Sequence, residues 1–247
     1  MSFLEEFCDP FNNDPQYIWI KLEHCGRYLF AVDFLKDKNI STIADIASAN
    51  GYGSAILADN FCRVIAIDRS ELYLSSDYLT KKNISKLCMD VDNDDFFEAL
   101  SQVDAVISFE TIEHLRNPEA FLHKLSSVLH PSNWLILSFP NSSYEKLNDD
   151  GTNQDPYHLH ILSKSQILDI LEGNGFIIRS ILGQSLCNQL CTLQNELIEK
   201  NTISIENVNS AFNYDRQSVI TLSKLLAYPK TTDIDNSYSY IIAAQKK

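Results

Sequence analysis

Five short apolar runs alternate with helical patterns, and four of them lead into an acidic residue. No other feature constrains the fold of this chain as much. The first run opens residues 43–58, IADIASANGYGSAILA: it closes at Asp45, passes small residues, Gly51 and Gly53, and continues as a helical pattern. The second, RVIAI, leads into Asp68; the third, over 84–89, leads into Asp90 and Val91. The fourth, over 103–109, leads into Glu110; the fifth, over 134–139, leads into Pro140 and Asn141. Strands alternating with helices predict a parallel sheet that binds ligands at the carboxyl ends of its strands. Asp45, Asp68, Asp90 and Glu110 all fall at such ends.

The first strand–loop–helix unit predicts a nucleotide-like ligand. Glycine and alanine leave the loop backbone open to close approach, which longer side chains would block. An acidic residue at the tip of the second strand, Asp68, suits the two hydroxyls of a ribose.

A chain of 247 residues with 45% hydrophobic content can bury the core of one α/β domain. Residues 1–36 read as an N-terminal arm and helix, 43–183 as the ligand-binding core, 185–228 as a helical insertion, and 237–246 as a last strand. The helix proper is expected over 23–36, another over 164–174 ended by Gly175, and a sixth strand over 176–183. Residues 141–156, polar and turn-rich, read as a mobile loop beside the site. Phe11, Tyr17 and Trp19 are expected to pack rather than to form a lid.

The net charge of −13 comes without any run of Lys or Arg, so nucleic acid is not the expected partner. A neutral or cationic small molecule fits better. The six cysteines form no CxxC pair, and Cys187 and Cys191 sit four apart on an expected helix. The start is acidic and no apolar stretch is long enough to span a bilayer. These features predict a cytoplasmic protein with reduced thiols and no membrane partner.

Glu110, Glu113 and His114 stand at i, i+3 and i+4 after the fourth strand. If that segment turns helically, they share one face toward the cleft. His114 has the intrinsic pKa of a general base, and Glu113 or Glu110 could orient it. The plainer alternative is a pair that packs and caps the cleft.

In these segments the chain resembles the class I methyltransferases that use S-adenosylmethionine (SAM), closest to the small-molecule and sugar methyltransferases. The residues that carry the likeness are EHCGRYLFA (23–31), DIASANGYGS (45–54), VIAIDRS (64–70), DAVISFETIEHLRNPEAFL (104–122), LILSFPN (135–141) and YHLHILSKSQILDILEGNGF (157–176). They span roughly residues 20–180 in the family's order. The resemblance implies a Rossmann-like, doubly wound α/β fold whose seven-stranded sheet has its last strand antiparallel, between the fifth and sixth. It implies that SAM is held by Asp45, Ala47, Gly51, Gly53, Asp68, Asp90, Val91 and Glu110. Arg27 and Tyr28 would meet its carboxylate, unless Tyr28 simply packs on the sheet. The implied reaction is methyl transfer to a hydroxyl of a small molecule or sugar, with Glu113 and His114 acting on the acceptor and Asn141 lining its pocket.

Some members of this group bind a divalent ion through Glu-x-x-Glu-His and a later histidine. The resemblance therefore implies a Mg²⁺ or Mn²⁺ site from Glu110, Glu113, His114 and His158, with His160 as the alternate. The chain departs from the family loop at Ser48, Ala49 and Asn50, where cysteine, glycine and an acidic residue are usual. Ala49 keeps open a SAM-binding relative that does not catalyse. An RNA 2′-O-methyltransferase fits the acidic composition poorly. A dinucleotide oxidoreductase would need the G-x-G-x-x-G that is missing.

Overall fold

The computed structural model describes residues 8–12, 18–185, 192–193, 196–204 and 215–247. Helix α1 (Ile18–Leu35) precedes strand β1 (Thr42–Ile46). Then follow α2 (Tyr52–Ala58), β2 (Arg63–Asp68), α3 (Glu71–Leu74), β3 (Ile84–Cys88), α4 (Asp94–Glu98) and β4 (Ala105–Phe109). The second half holds α5 (Pro118–Val128), β5 (Trp134–Pro140), α6 (Lys164–Gly173), β6 (Phe176–Gln184), α7 (Arg216–Leu226) and β7 (Ser239–Lys246). The expected strands are all present, within a residue or two. The first helix begins at Ile18 rather than 23, because Ile18, Trp19 and Leu22 add a buried apolar turn. Tyr17, Cys187 and Cys191 lie outside the described residues, as does much of the expected insertion; α7 falls within it, and residues 196–199 are helical too.

The strands form one sheet in the order β3-β2-β1-β4-β5-β7-β6. β7 runs antiparallel to both β5 and β6, and the other pairings are parallel. Helices cover both faces, so the central strands read as continuous apolar runs rather than alternating ones. One layer packs α1, α2 and α7 through Leu22, Tyr28, Ile56, Leu57 and Val219. The other packs Phe96, Phe121, Leu125, Ile167, Leu171 and Phe176. Local signals agree with this plan. Asn117 caps α5 ahead of Pro118, Ser163 and Gln166 form a reciprocal capping box on α6, and Gly175 turns the chain at φ +78°.

The crossovers from β1 lead to β2 on one side, and the chain returns beyond it to β4. The strand order therefore reverses between β1 and β4, opening a crevice at their carboxyl ends. Among the described residues no helix is long and apolar enough to cross a membrane.

Candidate active site

The loop between β1 and α2 carries three left-handed residues in five: Ala47 at φ 54°, Ala49 at φ 48° and Gly51 at φ 80°. Two of them are alanines, which pay a steric penalty there. The loop is fastened from the next strand. Asp68 Oδ2 accepts from the Ala49 N–H at 2.9 Å, and its Oδ1 accepts from Ser70 N–H at 2.8 Å. Burial raises the Asp68 pKa, and these backbone donors oppose the rise. The hydroxyl of Ser48 is buried without a hydrogen-bond partner.

The two loop glycines are required by packing as well. A Cβ on Gly53 would lie 2.0 Å from Cζ of Tyr28, and one on Gly51 would lie 2.2 Å from Cδ2 of Leu79. The space they leave is filled by the protein itself. Tyr28 reaches across Gly53 to donate its hydroxyl to Asp45 Oδ1 at 3.0 Å. Ser54 donates to the other Asp45 oxygen at 2.6 Å. Asp45 is 0% exposed, and burial pushes its pKa up to about 7. Asp45 and Tyr28 thus join the turn to α1 inside the fold and present no open face to a ligand.

Segment 8–12 lies against this loop. Asp9 accepts from the Asn50 side chain at 2.8 Å and from the Tyr78 hydroxyl at 3.1 Å. Phe11 packs on the rings of Tyr52 and Tyr78, while Trp19 is buried in α1.

Arg27 departs from expectation. It is 2% exposed, donates to Gln184 Oε1 at 2.9 Å and to Ser239 Oγ at 3.2 Å, and lies 3.5 Å from Glu110 Oε2. Glu110 departs with it. It adopts φ 45° at the end of β4, a left-handed turn that breaks any helical run into residue 113. Its carboxylate turns to Arg27 and accepts from Ser138 Oγ at 2.6 Å. The expected shared face of Glu110, Glu113 and His114 does not form.

Glu113 and His114 lie on a single 3₁₀ turn, 112–114, and here the structure builds a cluster. Glu113, His114 and His158 place one potential ligand atom each within 4.8 Å of one another. Glu113 is 1% exposed, and neither of its carboxylate oxygens has a hydrogen-bond partner. Burial and the charge of Glu110 raise its pKa well above the carboxylate range. His114 Nε2 stands 3.7 Å from Glu113 Oε1, while its Nδ1 is 3.0 Å from the carbonyl of Tyr157. A carbonyl only accepts, so Nδ1 carries the proton and neutral His114 has its lone pair on Nε2. Burial lowers the His114 pKa against the pull of that hydrogen bond. The His158 ring stands edge-on to it, with centroids 5.0 Å apart.

Other expected residues have quieter roles. Asp90 Oδ1 accepts from the N–H of Asp92 at 3.0 Å, making a turn before α4. Val91 packs partly buried against the core of that layer. Asn141 is 1% exposed and donates to the carbonyls of Asp235 and Ser237, so it ties β5 to the approach of β7. His160 bonds the carbonyl of Arg116 and lies outside the cluster. Residues 141–156, the turn-rich loop of the sequence, carry their own hydrogen bonds, with Leu147 bridged to Asn153. That turn supplies Glu145, which sequence reasoning missed: its Oε1 is 2.9 Å from His158 Nδ1.

Residues 25–181 match the model of a family described as a methyltransferase domain. The chain belongs to this methyltransferase-domain family. It is 26% identical over 144 residues to a probable S-adenosylmethionine-dependent methyltransferase of Mycolicibacterium smegmatis, a match covering 57% of this chain and 54% of that protein. The methyltransferase domain here thus spans about half the length of the curated relatives it matches. Among solved structures, the [4+2]-cyclase SpnF covers 95% of this chain and 85% of its own at TM-score 0.59 and 13% identity. Magnesium protoporphyrin IX methyltransferase of Synechocystis, solved with SAM, covers 92% and 82% at TM-score 0.52 and 17% identity. Such likeness shows the fold alone, and one of these two is a cyclase; the chemistry rests on the site.

Family membership implies SAM as the cofactor, and the crevice fits it. Ser48 offers an unsatisfied buried hydroxyl in the loop. Asp68 takes backbone hydrogen bonds from Ala49, Ser70 and Arg69 across its two oxygens, and the four acceptor sites of a carboxylate leave room for a further donor.

Proposed function

We propose that this protein is a SAM-dependent methyltransferase that acts on a hydroxyl of a small molecule or sugar. The observation that carries the reading is the buried, unpartnered carboxylate of Glu113 beside two histidines, just past the carboxyl end of β4. A buried carboxyl with no hydrogen bond is costly unless it stays protonated or meets a cation. Family likeness supports the cofactor; the acidic balance of −13 supports a neutral or cationic acceptor over nucleic acid.

In this reading Asp68 takes the ribose hydroxyls and the loop from Ala47 to Gly51 lies along the methionine part, with Ser48 donating. Asp90 and Val91 flank the adenine. Bound SAM supplies an electrophilic methyl group on a sulfonium. The chain aligns the acceptor oxygen with it and manages the acceptor's proton. His114 presents its Nε2 lone pair to that proton, and Glu113 lies 3.7 Å from that nitrogen.

Glu113, His114 and His158 also suit a divalent ion. Two imidazoles and one carboxylate favour Mn²⁺ or Fe²⁺ over Mg²⁺, which prefers oxygen ligands. Bound there, the ion would lower the pKa of an acceptor hydroxyl. Glu110, held by Arg27, is left out of this ligand set.

The test is an acceptor screen with methyl-labelled SAM over hydroxylated small molecules and sugars, run with and without chelator. Label transfer abolished by chelator and restored by Mn²⁺ supports the metal form. Transfer indifferent to chelator leaves His114 as the base. No transfer to any hydroxyl, with transfer to amines instead, overturns the acceptor class.

A further inference from the structure

The turn between β5 and α6 orients every member of the cluster, although only His158 belongs to it. The carbonyl of Tyr157 lies 3.0 Å from Nδ1 of His114. The N–H of His160 donates to the carbonyl of Glu113 at 3.2 Å. Glu145 accepts from Nδ1 of His158 at 2.9 Å, with the two side chains 9% and 16% exposed. Asn153 in turn donates to the second oxygen of Glu145. This chain of contacts runs from the tip of the turn to the cluster. A carboxylate on Nδ1 fixes the proton there and leaves Nε2 of His158 free to bind, as the Tyr157 carbonyl does for His114. Both rings then keep the same nitrogen, Nε2, unprotonated. Without an acceptor on Nδ1, the His158 ring could flip or take the other tautomer.

We infer that Glu145 is a positioning residue for a divalent cation at Glu113, His114 and His158, acting through His158 and itself aligned by Asn153. The inference rests on the metal form of the proposed function. It also gives the turn its reason for being folded: Glu145 is thirteen residues before His158, and the bridge between Leu147 and Asn153, with the bond from Gln154 N–H to the carbonyl of Lys146, brings the two together.

The experiment measures Mn²⁺ binding to the purified protein by electron paramagnetic resonance, for wild type, Glu145→Gln and Asn153→Ala. S-adenosylhomocysteine affinity and thermal midpoint serve as controls. Loss of an outer-shell carboxylate weakens metal affinity about 10- to 100-fold. The expected result is a loss of that size for Glu145→Gln and a smaller one for Asn153→Ala, with both controls unmoved. Equal Mn²⁺ affinity in all three proteins overturns the positioning role and leaves the metal reading standing. Wild type that binds no Mn²⁺ at millimolar concentration overturns both. Should Glu145→Gln fail to fold, Asn153→Ala decides: unchanged affinity there sinks the inference.

Discussion

Oε1 of Glu113 lies 3.7 Å from Nε2 of His114, too far for a hydrogen bond and close enough for both to bind one small ion or one proton carrier. The gap is enclosed on the carboxylate side, where Glu113 is 1% exposed, and open on the histidine side, where the ring is 30% exposed. An acceptor oxygen would therefore arrive past His114.

Replacing His114 with Ala should cut turnover by about 10²- to 10⁴-fold, the usual contribution of a positioned acid–base group. S-adenosylhomocysteine affinity should stay nearly constant, because the cofactor loop is held from Asp68 and not from this turn. Steady-state kinetics and calorimetry on one preparation check both. Loss of cofactor binding would contradict the role given to His114.

Asp68→Ala should weaken S-adenosylhomocysteine binding by roughly 1–3 kcal/mol, through loss of the ribose acceptor and of the bond to Ala49 N–H. Calorimetric titration reads this directly. Unchanged affinity would remove Asp68 from the ribose site.

Ala49→Gly probes the strain in the loop. At φ 48° an alanine loses about 1–2 kcal/mol relative to glycine. Glycine adds about 0.4–1 kcal/mol of entropy to the unfolded chain. The net effect should be a small stabilisation or none, read as the urea midpoint. A clear fall in midpoint would contradict the left-handed assignment.

Asp45 makes stability depend on pH. Its pKa rises from an ordinary 3.8 to about 7, chiefly through burial. The folded value lies above the unfolded one, so its contribution is complete below about pH 4 and is lost as pH rises to about 7. The shift amounts to about 4 kcal/mol. Asp45→Asn should therefore gain on wild type between pH 4 and pH 8, by up to that amount. Urea unfolding curves at both ends test it; a constant difference between the two proteins would show that Asp45 is not protonated inside the fold.

The sheet was legible because buried parallel strands leave continuous apolar runs and because helices between them carry ordinary caps, such as Asn117 and Ser163. That Glu113, His114 and His158 come near one another was implied by the family resemblance, since spacing alone links only the first two. The place of Glu110 was not legible, because a single left-handed residue redirects a side chain without leaving a mark in the spacing. Gly51 and Gly53 were read as openings for a ligand, yet Leu79 and Tyr28 occupy that space. Sequence shows where a side chain is missing and not what fills the gap. Glu145 was hidden in a polar stretch whose fold depends on contacts such as Asn148 N–H to the carbonyl of Thr152, at 2.8 Å.

The central claim is that the crevice at Ala47–Gly51 and Asp68 binds SAM. Calorimetric titration of the purified protein with S-adenosylhomocysteine tests it most directly. The account predicts one site of micromolar affinity. No heat of binding up to millimolar ligand would contradict it and would favour a relative that has lost the cofactor.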